Sequence, residues 1–170
     1  MLVSTKKFKY DFLRYNRHHV LRPGSGVILI LCFLIKDVFL IGIVGASLLR
    51  GGGSESTELR NLIHPVFFFS SLPALAIFYA LGMRQPSAGK LVRLIWKNGR
   101  YLILAAASLY VFLLSHIHRY DLSKFGILDG IVIGLNVLIV GYVFTSPFIK
   151  DLFSEFPEPD EADEEPQSGD

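Results

Sequence analysis

Four apolar stretches constrain this chain more than anything else in it: Val27 to Leu49, Val66 to Met83, Tyr101 to Ile117 and Gly126 to Phe148. A hydrocarbon core of about 30 Å takes about 20 helical residues at ~1.5 Å each. The first and last stretches meet that length. The second and third, at 18 and 17 residues, must run nearly upright or borrow flanking residues such as His64, Pro65 and His118. None of the four alternates with period 2, and a lipid-facing sheet edge would leave backbone groups unpaired, so helices are expected. At 51% hydrophobic residues in 170 and a mean hydropathy of +0.44, the chain is too apolar for an ordinary soluble domain. The expected fold class is an all-α membrane protein, four transmembrane helices in a compact bundle.

Charge position sets the expected topology. Residues 1–26 form a basic head with Lys6, Lys7, Lys9, Arg14, Arg17 and Arg22, too long and followed by too long an apolar run for a cleaved signal, so a retained signal-anchor is expected. Head, second loop and tail carry twelve Lys and Arg, against four in the other two loops. The positive-inside rule then places both termini in the cytoplasm. Residues 27–148 form the transmembrane domain, and 149–170 an acidic tail expected to be disordered from about Pro157. A single cysteine, Cys32, excludes an internal disulfide.

Ionisable residues inside a span are functional candidates by default, because each costs about 3 kcal/mol or more at that depth. Lys36 and Asp37 lie near the middle of the first span. As neighbours they point about 100° apart on a continuous helix and face each other poorly, so partners are sought elsewhere. Asn136 is level with Lys36 by depth, Ser108 is a further candidate, and Asp129 lies higher in the fourth span. The expectation is an intramembrane polar cluster of Lys36, Asp37, Asn136 and Asp129, locking helices together or relaying protons. Gly126, Gly130 and Gly134 recur every four residues, with Gly141 one heptad on, and small residues at this spacing let another backbone come close. Gly42 and Ala46 of span one, or Ala105 of span three, are the expected opposing surface.

Between spans two and three, Lys90, Arg93, Lys97 and Arg100 fall on one side of an expected short amphipathic helix, with Trp96 at headgroup depth and the charges toward an anionic inner leaflet. The stretch is too short and too near the bilayer for nucleic acid. His64, His116 and His118 are expected on the outer side and could hold a metal or one haem position, but no carboxylate or cysteine framework accompanies them, and no metal or other cofactor is expected. No phosphate loop, paired-carboxylate motif or nucleophile triad is present, so the chain is not expected to be an enzyme.

Several short patterns, taken in order, resemble the YfeZ-like family of small bacterial inner-membrane proteins of uncharacterised function. They are Tyr10-Asp11, Asn16, Leu21-Arg22-Pro23, Gly45-Ala46-Ser47, Ser71-Leu72-Pro73-Ala74-Leu75-Ala76, Trp96, Gly99-Arg100, Lys150-Asp151-Leu152-Phe153 and Phe156-Pro157. Lys36-Asp37 departs from that family's arginine and aromatic. The resemblance implies a bacterial inner-membrane location and a four-span build, with no active site to carry over. The functional expectation is an accessory or structural subunit of a larger membrane complex, with a membrane-protein partner or a homo-oligomer. The alternatives are a small homo-oligomeric transporter or proton-coupled channel using Asp37 and Lys36, and an external metal or haem carrier through His64, His116 and His118.

Overall fold

Burial follows the helical period along the apolar stretches, which is how a continuous hydrophobic run sorts its residues between neighbours and lipid. The computed structural model describes residues 9–16, 18, 20–50, 65–118 and 126–157. Among these are seven α-helices: α1 (Ser25–Leu34), α2 (Lys36–Leu49), α3 (Phe67–Gly82), α4 (Lys90–Lys97), α5 (Gly99–Ile117), α6 (Ile127–Thr145) and α7 (Pro147–Ser154), preceded by a 3-10 turn at Phe12–Arg14. No strand forms among the described residues beyond an isolated antiparallel bridge, Tyr15 with Leu21.

α3 is the centre of the packing, contacting α1, α2, α4 and α5. Its buried residues Phe67, Ser70, Ser71, Ala74, Ile77 and Ala80 recur at helical spacing. Ala74, Ile77 and Ala80 join Ile103, Ala106 and Ala107 of α5 and Leu31, Leu34 and Ile35 of the first span in one core. Outside that core, large apolar side chains such as Leu29, Phe39, Ile43, Phe69, Phe112 and Leu138 are exposed. A surface of this kind is what acyl chains, not water, would cover.

The helices do not all meet the expected span lengths. α5 and α6, at 19 residues each, are long and apolar enough to cross a membrane; α1 and α2 pass only as a pair bent by 55°. α3, at 16 residues, covers about 24 Å, short of a core of about 30 Å. Two or three spans are therefore supported by length, where the sequence suggested four.

The bend has a local cause. At Ile35 (φ −97°, ψ 6°) the Val38 amide donates to the Ile35 carbonyl instead of to Leu34. The released Leu34 carbonyl accepts the Ser71 hydroxyl at 2.9 Å. A side chain from a neighbouring helix has entered the backbone ladder, one of the few things that sharply kinks a helix without proline.

The acidic tail also begins later than expected. Ser146 breaks α6 with an extended ψ of 117° and caps α7, whose first residue is Pro147, a position where the missing amide costs nothing. Ile149, Leu152 and Phe153 are buried, as is Pro157. Residues 149–157 thus belong to the packed domain. So does much of the supposed head, with Val20 and Leu21 buried and Tyr10 and Tyr15 packed on the core.

Candidate functional site

Lys36 and Asp37 sit at the break between α1 and α2. They open α2, and their side chains pair at 2.9 Å, contrary to the expectation for neighbours. The Lys36 ammonium lies 4.0 Å from the Tyr110 ring centroid and 4.9 Å from that of Phe33, so two aromatic faces stabilise the cation. Asp37, 8% exposed, occupies the first turn of α2, where the helix dipole favours a carboxylate. Break, ion pair and aromatic walls form one polar station within the apolar core.

The wider cluster does not assemble. Asn136 donates from Nδ2 to the Val132 carbonyl in its own helix at 2.8 Å. Asp129 accepts from the Gly126 amide at 2.9 Å and lies 3.5 Å from His118 Nε2. The four residues fall into three separate groups. Ser108 lines a groove with Asn136 instead of joining Lys36.

That groove, about 450 Å³, runs between α5 and α6 and includes Leu104, Ala107, Ser108, Val111, Asn136 and Val140. Asn136 is 2% exposed, and its Oδ1 has no hydrogen-bond partner among the described residues. On α6, a side chain added at Gly130, Gly134 or Gly141 would meet nothing within 4 Å, and the same holds for Gly42 of α2; Gly126 faces only Asp129 of its own turn. Ala46 and Ala105 are exposed. The expected close crossing of the α6 glycines against span one or three therefore does not occur among the described residues. α6 packs against α5 and α7 and leaves its glycine face bare.

The basic end of the bundle is built the opposite way. Trp96 is buried, donating from Nε1 to the carbonyls of Leu152 and Glu155 at 3.0 Å each. It is a structural anchor and does not sit among headgroups as its sequence position suggested. Arg84, which the sequence reading gave no role, donates to the Leu21 carbonyl at 2.6 Å and the Glu155 carbonyl at 2.8 Å, with its guanidinium 4.4 Å from the Trp96 ring. Burial pulls its pKa down to about 10, with Glu155 pulling the other way. The Leu21 amide donates to Glu155 Oε2 at 2.9 Å. Lys9 and Tyr10 both donate to Asp151, at 2.7 and 2.8 Å.

α4 lies across this end. Arg93 is held by the Pro86 and Ala88 carbonyls and stacks over Phe156 at 4.9 Å. Arg100 donates to the Phe144 carbonyl at 3.1 Å. Lys90, Lys97, Leu91 and Leu94 remain exposed, so the open face alternates lysine with leucine. On the far side His116 stacks on Phe112, and His64 lies outside the described residues. Among the described residues no group of three His, Cys, Asp or Glu could hold a metal.

A family model described as a protein of unknown function (DUF2919) matches residues 10–155. That stretch runs from Tyr10 to Glu155, the two ends that fold against each other at the basic end, and the chain belongs to this family. No curated protein and no solved structure matches it.

Proposed function

We propose that this DUF2919 protein is a non-enzymatic subunit of a larger assembly in the bacterial inner membrane, holding a partner's transmembrane helix against α6. The observation that carries the reading is the bare glycine face of α6, where a side chain added at Gly130, Gly134 or Gly141 would meet nothing within 4 Å. Small residues at this spacing are where a second helix comes close enough for backbone contact, while the buried, unpaired Asn136 oxygen lies on the other side of α6, in the groove against α5. Four spans with both termini cytoplasmic, α3 crossing with the help of flanking residues, complete the proposal. So does the YfeZ-like resemblance, many of whose motif residues meet at the basic end.

Purification in native nanodiscs, with mass determination of wild type and Gly134→Leu, tests it. A stoichiometric companion in the wild type, lost in Gly134→Leu while α-helical content and the thermal midpoint hold, is the expected result. A companion retained in full by Gly134→Leu sinks the docking face.

The Lys36–Asp37 pair at the break favours a second reading, a small homo-oligomeric proton-coupled transporter, because broken helices at mid-membrane supply ion sites in such proteins. Asp37→Asn separates the two. Transport predicts normal assembly with lost proton flux into proteoliposomes; the subunit reading predicts no flux in either protein.

A further inference from the structure

The N-terminal segment makes a tight antiparallel turn in which Tyr15 bridges Leu21 and the Arg22 amide donates to the Arg14 carbonyl at 2.7 Å. Arg14, the last residue of the 3-10 turn, and Arg22 are thereby adjacent across the turn. Both are exposed, and like charges this close repel. Among the described residues neither guanidinium has a carboxylate partner; Arg14 only stacks over Phe148 at 5.4 Å. Both line a cavity of about 450 Å³ together with Ser25, Gly26 and Tyr142. Gly24 is the N-cap of α1 and gives no side-chain cap, so the amides of Ser25 and Gly26, which line the same space, have no partner in the helix.

We infer that this cavity binds a phosphate monoanion, held between Arg14 and Arg22, and that its source is the headgroup of an anionic phospholipid. Two forked guanidinium groups and a helix start are the donors that recognise phosphate oxygens, and an anion between the arginines removes their repulsion. The lipid source follows from position. The cavity lies where α1 begins and α6 ends, Leu13 beside it is 81% exposed, and Ile28 and Leu29 continue an exposed apolar face along α1. A headgroup seated there would lay its acyl chains along that face. The site is separate from the α6 groove and does not depend on the subunit reading.

The test uses the full chain in mild detergent. Its thermal midpoint is followed by circular dichroism while short-chain phosphatidylglycerol, short-chain phosphatidylcholine or inorganic phosphate is added at fixed ionic strength. Phosphatidylglycerol should raise the midpoint saturably, and Arg14→Gln/Arg22→Gln should weaken that response about tenfold or more, the scale of one lost charged hydrogen bond. Arg22→Gln alone, at an exposed position, gives the same reading should the double variant not fold. Lys90→Gln/Lys97→Gln, on the exposed face of α4, should leave it unchanged. An undiminished response in the arginine variants, or an equal loss in the lysine variant, overturns the site. A response to inorganic phosphate matching that to phosphatidylglycerol keeps the phosphate site and overturns the lipid source; no response to any of the three overturns both.

Discussion

Replacing Arg84 and Trp96, singly and together, measures how tightly the basic end is held. Arg84→Met removes the donors to the Leu21 and Glu155 carbonyls, at 2.6 and 2.8 Å; the Leu21 carbonyl is left unpaired where Leu21 is fully buried, while the Glu155 carbonyl keeps only its bond from Trp96. With each lost bond worth about 1–2 kcal/mol at this partly exposed site, the variant should lose about 2–4 kcal/mol. Trp96→Phe keeps the ring near Phe153 but deletes the amine shared by the Leu152 and Glu155 carbonyls, for about 1–2 kcal/mol. The guanidinium stacks on the indole at 4.4 Å, a contact that either variant weakens, so the double variant should be less damaging than the sum by about 1 kcal/mol. Unfolding in mixed micelles with rising dodecyl sulfate, followed by circular dichroism, gives all four free energies. Additivity within about 0.5 kcal/mol would refute the seating of the guanidinium on the indole, and a wild-type midpoint for Arg84→Met would refute the hub.

A Cβ at Gly99 would collide with the Phe153 ring, so Gly99→Ala should cost about 1–3 kcal/mol in the same assay, partly recovered by adding Phe153→Leu. Ser71→Ala withdraws the hydroxyl from the Leu34 carbonyl and should cost about 1–2 kcal/mol, with faster hydrogen exchange confined to residues 34–38. Asp151 has its pKa lowered by the Lys9 hydrogen bond and then by Tyr10, so its contribution is present above the usual 3.8 and lost as pH falls through its lower folded value. Lys9 and Tyr10 are raised, and their contributions fade as pH climbs past about 10. Protease cleavage near Phe12 should therefore rise at both extremes, and Asp151→Asn should remove the acid limb. Asn136→Leu removes an unpaired buried oxygen; the purified chain should be equally or more stable by up to about 2 kcal/mol, while a companion seated on the glycine face, on the other side of α6 from Asn136, should be retained in native nanodiscs.

Where the sequence was legible, a single local property decided the outcome. Hydropathy runs marked the helices because burial in lipid or protein needs nothing else, and Lys36–Asp37 stood out because charge at that depth is rare. What stayed hidden depends on distant residues. The break after Leu34 has no proline or glycine to announce it; its cause is Ser71, 37 positions on. Trp96 sits in an amphipathic helix whose sequence offers two apolar sides, and the choice between them is made by carbonyls 56 and 59 residues away. The acidic run disguised α7, although Ile149, Leu152 and Phe153 already had the i, i+3, i+4 spacing of a buried stripe. Arg84 looked like one more loop cation because nothing local distinguishes a guanidinium that crosses a fold from one in solvent.

The two ends of this polar inventory bear on function in opposite ways. At the basic end, Arg84, Arg93, Trp96 and the Leu21 amide donate to backbone carbonyls or Glu155 within the chain, although Arg84 Nε and Arg100 Nε are buried without an acceptor among the described residues, so that end specifies most of its own closure. Along α6, three glycines hold open a path to the backbone that no described residue takes. A helix interior gains nothing from glycine and loses about 1 kcal/mol for each one against alanine. Gly130, Gly134 and Gly141 together thus cost about 3 kcal/mol that the isolated chain does not recover by close packing. A second helix laid on that face, as proposed above, would recover it through close contact along the glycines. The packing within the chain is concentrated in the basic cap and the α3–α5 core, so on that proposal α6 is shaped by what it meets outside the chain.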